Sequence, residues 1–295
     1  MVGNEPVNNR NPLWTSVLWS LLSQDRQAAV STVVLGIFLF VAIFAAFVAP
    51  LDPSKTTNDT FQKPSSQFLL GTDDLGRDVL SGIIYGAQTS IIFGVLVTLT
   101  SGLIGIAIGG IAGYAGGIVD DILMRLTEFV LIPPRFFLAL VMAALFGTSL
   151  FYLVIILSFT YWTTMARLVR AEVITLKERS FVQAAKAGGS TPLRIFVFHI
   201  LPNAMPVVIT QMMLTVGGVI LLQAALDFIG IGDADRISWG SMLHNGQHFI
   251  RDGWWMVLFP SLALALLVLA LNILGDTINF ALNPKTSSSQ IDRAV

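Results

Sequence analysis

The chain has 295 residues, 54% of them hydrophobic and only 12% charged, with a net charge of −1 and no cysteine. Soluble domains carry roughly 25% charged residues, so half that share is a membrane composition. The near-neutral balance excludes a general attraction to nucleic acid, and the missing cysteines exclude disulfides and thiolate metal sites.

Residues 1–27 are polar and Asn-rich, with Arg10 and Arg26, and have no core of their own. Trp14, Leu18, Trp19 and Leu22 are expected to form an interfacial amphipathic turn before the membrane. The first apolar run, Ala28 to Ala49, is about 22 residues, enough to cross roughly 30 Å of hydrocarbon as an uncleaved anchor within 28–50. Residues 51–84 read as a polar outer loop, in which Gly71-Thr72-Asp73-Asp74-Leu75-Gly76-Arg77-Asp78 predicts a turn with Arg77 paired to a carboxylate.

A second span is expected over Ile91 to Tyr114. Ser101, Gly105, Gly109, Gly113 and Gly117 recur every fourth residue, so one helix face lacks side chains and can approach a neighbour closely in lipid. These glycines form no phosphate or dinucleotide loop, because neither G-x-G-x-x-G after a strand nor G-x4-G-K-[ST] occurs. Asp120, Asp121 and Arg125 mark a short turn before a third span that runs to Phe146. Pro133-Pro134-Arg135 lies inside that span, and adjacent prolines kink or break a helix. Glu128 is expected to pair with Arg125 or Arg135. A fourth span begins at Leu150 and passes through Trp162 to a basic end at Arg167.

Phe181 to Asn203, FVQAAKAGGSTPLRIFVFHILPN, interrupts the apolar chain with a polar, basic stretch. Phe181 to Lys186 are helix formers, and Gly188-Gly189 should end that helix. Ser190 or Thr191 can cap a second helix with Pro192 at its first position. The expected shape is helix, tight corner, helix. Beyond it, a fifth span (Met205 to Ile229) carries Gln211, Gln223 and Asp227, polar groups that belong on the bundle interior or against water. Gly230 to Gly253 reads as an outer loop, and the sixth span runs from Trp254 to about Leu282 with Asn272 and Asp276. With the N-terminus inside, cytoplasmic segments hold 11 Lys and Arg against 5 outside, with Arg135 unassigned in the third span.

Gln183-Ala184-Ala185, then Gly189, then His199-Ile200-Leu201-Pro202 resembles the EAA loop of ABC-importer permeases, with Gln183 where glutamate is usual and His199 where isoleucine is common. FLLGTDDLGRDVLSGIIYGAQTS and GYAGGIVDDILMRLTEFVLIPP resemble the oligopeptide, dipeptide and nickel branch, in the C-type permease of its pair. The resemblance covers about residues 28–284. Gln223 stands where that pattern has glutamate, and Asp227 where it has serine.

The resemblance implies an all-α membrane protein with six transmembrane helices and the type I ABC importer permease fold. Its core would be residues 85–283, with a coupling loop at 171–203 between spans four and five and a cytoplasmic tail at 284–295. Gln183, Ala184, Ala185, Gly189, Pro192, Leu201 and Pro202 would meet the ATPase. Gln211, Gln223 and Asp227 are candidates for the translocation path, and Gly105, Gly109, Gly113 and Gly117 for helix packing. Implied partners are a homologous second permease, two cytoplasmic ATPases carrying ATP and Mg²⁺, and an external solute-binding protein. The expected place is the plasma (inner) membrane of a bacterium or archaeon, with both termini cytoplasmic, and the first choice of cargo is small peptides.

His244 and His248 are spaced i, i+4 and could share a metal, but two neutral ligands without a third make a weak site. The resembled branch includes nickel importers, so nickel or another metal chelate is the alternative cargo. An ion-driven secondary carrier would show charged relays and inverted repeats, and neither is seen. An intramembrane enzyme would need a catalytic constellation, and no H-E-x-x-H or serine nucleophile motif occurs.

Overall fold

The computed structural model describes residues 26–282, which form helices joined by turns. The tails and the expected turn at Trp14, Leu18, Trp19 and Leu22 lie outside the described residues. Helix α1 (Arg26–Ile43) and the short α2 (Ala45–Val48) make the first span. The second span, α3 (Val79–Ala115), is longer than expected and takes over the end of the outer loop. Its start is set by Asp78, whose carboxylate accepts from the Ser81 amide at 2.8 Å and the Ser81 hydroxyl at 2.7 Å. Such a cap satisfies amides that the first helical turn leaves free, so the helix begins well before its apolar part.

The third span is broken. Helices α4 (Gly117–Leu131) and α5 (Arg135–Phe146) meet at 77° across residues 132–134, as adjacent prolines require. Asp120, expected in a turn, lies on α4 instead and forms a two-pronged ion pair with Arg170, at 2.5 and 2.6 Å. Helix α6 (Leu150–Lys177) is the fourth span. The fifth is a continuous helical rod, α8 (Pro192–Ile195), a π-turn (Phe196–Ile200) and α9 (Leu201–Phe228), and the sixth is α11 (Trp255–Leu282). Among the described residues, five helices are long and apolar enough to cross a membrane, and the bent pair makes six spans.

Helices α3 and α6 share the most extensive contact in the bundle. A Cβ on Gly109 would fall on the Ala166 carbonyl, one on Gly105 would come within 2.8 Å of the Trp162 carbonyl, and one on Gly113 within 2.8 Å of the Arg170 carbonyl. Ser101 is buried on the same stripe. Gly117 does not belong to it: nothing lies within 4 Å of its missing Cβ, and its φ of +55° marks the turn from α3 to α4. A period of four on a single helix face ends where the helix ends.

The outer cap is more ordered than a loop. Trp255 donates to the Thr72 carbonyl at 3.0 Å, and Arg77 pairs with Asp73 at 2.6 Å, as expected from the sequence. The segment after α9 contains the helix α10 (Trp239–Gly246), opened by a reciprocal Ser238–Ser241 capping box. Trp239, fully buried, donates to the Ile83 carbonyl at 3.0 Å and ties α10 to α3.

Candidate functional site

The corner between spans four and five is built as its residues suggest. Helix α7 (Ser180–Ala187) ends at Gly188, and Gly189 takes φ +75°. Two hydrogen bonds close the end: Gly189 donates to the Lys186 carbonyl at 3.0 Å and Ser190 to the Ala185 carbonyl at 3.1 Å. That paired pattern is the Schellman end, in which a left-handed residue reverses the chain and satisfies carbonyls left over by the helix. Thr191, rather than Ser190, opens the next helix by accepting from the Arg194 amide, with Pro192 in the first turn.

The corner is fastened from below and open above. Val182 and Ile195 are fully buried with Ile200, among Met165, Val169 and Val173 of α6 and Val208 of α9. Gln183, Ala184, Gly189 and Pro192 are exposed, and Ala185 and Leu201 are half-buried. Gln183 donates to the Lys177 carbonyl at 3.0 Å, which holds α7 against the end of α6. Lys177 in turn donates to the Gly113 carbonyl at 3.1 Å, so the inner end of span two joins the same assembly.

The π-turn has a local cause. Pro202 has no N–H to give the Phe198 carbonyl, and Leu201 instead donates to Phe196, five residues back. Pro202 itself is exposed. Sequence reasoning passed over Leu193, which is 73% exposed beside the corner. Its signal was an apolar residue between Pro192 and Arg194 in the exposed first turn after the corner.

The three path candidates separate. Gln223 and Asp227 lie one helical turn apart, each 4% exposed, and share a small cavity with Thr89, Leu153, Asp233 and Arg236. Asp227 accepts from the Ser238 hydroxyl, while its other oxygen and the Gln223 carbonyl oxygen have no partner among the described residues. Gln211 lies 12 residues earlier, about 18 Å away along the axis, half-buried and donating to Thr215 at 3.3 Å. It is not brought together with the other two.

The expected Glu128 pairing is absent: the described ion pairs are Asp73–Arg77 and Asp120–Arg170, and Glu128 is exposed. Arg135 bonds Thr164 instead. His244 directs Nδ1 at the Phe228 carbonyl, 2.7 Å away, and its ring meets that of His248 edge-on at 5.9 Å. Among the described residues no third His, Asp or Glu joins them to hold a metal.

Six spans, one broken, with an exposed corner fastened between the fourth and fifth, define a multi-pass membrane protein. A solved structure of the MetNI methionine ABC transporter, in inward-facing form, matches it with TM-score 0.57 at 18% identity, over 68% of this chain and 96% of that one. At that identity the likeness speaks for the fold, which is the type I ABC importer permease fold.

The chain belongs to the family of binding-protein-dependent transport system inner membrane components, whose model matches residues 105–288. A second model, the N-terminal transmembrane domain of oligopeptide transport permease C, matches residues 13–67. The dipeptide transport system permease protein DppC of Escherichia coli K12 is 40% identical over 275 residues, covering 90% of this chain and 92% of its own. DppC of Alkalihalophilus pseudofirmus is 37% identical over 269 residues, covering 90% and 88%. The di/tripeptide permease DppC of Pseudomonas aeruginosa is 34% identical over 297 residues, covering 97% and 98%. The chain is thus an inner-membrane permease subunit of the C type.

Proposed function

We propose that this chain forms half of the pathway of an ATP-driven importer of small peptides, and that the corner at 181–203 is where a cytoplasmic ATPase acts on it. The observation that carries the reading is the way the corner is fastened. Val182, Ile195 and Ile200 join it to spans four and five through one apolar cluster, while Gln183, Ala184 and Gly189 stay open to a partner. Packed interiors are close to incompressible, so a push on the open face moves both spans together. The peptide cargo rests on the relatives, which are named as dipeptide and di/tripeptide permeases.

The assembly would hold a related second permease, two ATPases carrying ATP and Mg²⁺, and an external solute-binding protein. This chain does no chemistry on its cargo and holds no cofactor of its own. Both termini face the cytoplasm, supported by the cation bias that puts the corner on the side where ATP is present. Gln211, half-buried in span five, lines the path, and Asp227 and Gln223 stand at its outer end.

The test is reconstitution of the full complex in proteoliposomes. ATP-dependent uptake of a labelled dipeptide is expected, together with cross-linking between a cysteine at Ala184 and an ATPase subunit. Uptake that runs without the ATPase, or labelling of residues 181–203 from outside, overturns the reading.

A further inference from the structure

We propose that Arg135 is a carboxylate-binding subsite within the membrane part of the permease, where the C-terminal carboxylate of a peptide is held as it passes. The proposal rests on the peptide reading above and adds the group by which this chain recognises the cargo.

Arg135 is the one cation that the loop topology leaves without a side. It opens α5 just after the break in span three and is half-buried. Its depth follows from three helices. At 1.5 Å per residue, α5 puts it about 16 Å from that helix's outer end. Its neighbours Tyr161 and Thr164 lie about 16 and 21 Å below the start of α6. Gly218, whose missing Cβ would sit 3.7 Å from the Tyr161 hydroxyl, lies about 15 Å below the end of α9. These positions along three helices agree, and they place Arg135 well inside span three rather than at its outer end.

A charge at that depth is costly and is found where it faces the bundle interior or water. Non-helical backbone such as residues 132–134 is tolerated there only when buried in protein or lining an aqueous cavity. Both constraints point Arg135 toward the path rather than the lipid. No carboxylate among the described residues pairs with it. The guanidinium is nevertheless fixed: one nitrogen donates to the Thr164 hydroxyl at 2.5 Å, and the carbon stacks 4.4 Å over the Tyr161 ring.

An arginine carries five N–H donors in a planar fork that matches a carboxylate. Thr164 and Tyr161 hold the fork in place from one side before a ligand arrives, which lowers the ordering cost of binding. A Cβ on Gly218 would meet the Tyr161 hydroxyl, and Gln211, two turns away on the same face of α9, continues the polar strip toward the cytoplasm. A lipid phosphate at Arg135 would give no preference between a free and an amidated peptide, so the same probes test that occupant. The other occupant is a carboxylate of the second permease, and the experiment separates the two.

The full transporter, with its binding protein at saturation, is reconstituted with wild-type chain, Arg135→Gln or Arg135→Lys. The probes are a dipeptide with a free C-terminus and the same dipeptide amidated. Wild type is expected to import the free acid faster than the amide. Arg135→Gln should lower free-acid uptake about tenfold, the scale of one charge-assisted hydrogen bond, and erase the preference while the subunits still co-purify. Arg135→Lys should restore part of it. A wild type that imports both probes equally, or Arg135→Gln that keeps the preference, overturns the subsite. Loss of co-purification with the preference intact assigns the carboxylate to the second permease and overturns it too. A wild type that imports neither probe instead sinks the peptide reading, and the cargo assigned here goes with it.

Discussion

Gly109 and Gly189 both lie toward the inner end of the bundle and are glycine for opposite reasons. At Gly109 the backbone is an ordinary helix, but the α6 carbonyl of Ala166 occupies the space where a Cβ would go. At Gly189 nothing lies within 4 Å, and the constraint is the +75° φ that turns the chain. The first glycine lets two spans touch, and the second shapes a surface that this chain leaves uncovered. Replacing the first should damage the fold, and replacing the second should damage only what the corner does.

The largest expected effect is Gly109→Leu. Overpacking of this kind costs about 3 kcal/mol or more, because carbonyl backbone cannot move aside as a flexible side chain can. The variant should yield no monodisperse protein in detergent, whereas Gly109→Ala should give a folded protein of lowered melting temperature. If Gly109→Leu folds normally, the α3–α6 contact is not as close as described.

Next in size is Gly189→Leu. A side chain in the left-handed region costs about 1–2 kcal/mol, and there is no clash, so insertion and purification should survive. ATP-driven uptake should fall at least about tenfold, roughly 1.4 kcal/mol of lost coupling. Normal uptake by this variant would remove the coupling role from the corner and erase the contrast with Gly109.

Asp120→Asn sharpens the comparison from between the two glycines. It weakens the two-pronged bond from Arg170, whose side chain is 35% exposed, so solvent screening limits the loss to about 1 kcal/mol. A fall of a few degrees in melting temperature, with uptake retained, is expected. The smallest effect is Thr191→Ala, which removes the side-chain cap of α8 at about 1 kcal/mol, confined to that first turn. Faster hydrogen exchange at the Arg194 amide would report it, with uptake barely altered.

Much of this contrast is legible in the sequence and some is not. The corner can be read residue by residue, because the Gly-Gly ending and Pro192 act through bonds a few residues long. The stripe at Gly105, Gly109 and Gly113 can be read as a face, but not its partner, and Gly117 shares the spacing while lying past the helix end. Gln223 and Asp227 read as polar groups for the path. Their burial against Thr89 and Leu153 comes from chain far away in sequence.

The residues alone determine that this is a membrane chain with six spans, a proline break in the third and a basic helical corner after the fourth. Length, hydropathy and capping are local properties, so they survive without knowledge of neighbours. Only the tertiary structure decides that α3 and α6 touch through backbone, that Arg135 rests on Tyr161 and Thr164, and that Asp120 reaches Arg170. Those contacts depend on how far each helix extends and how it is rotated in the bundle, and packing against distant segments sets both.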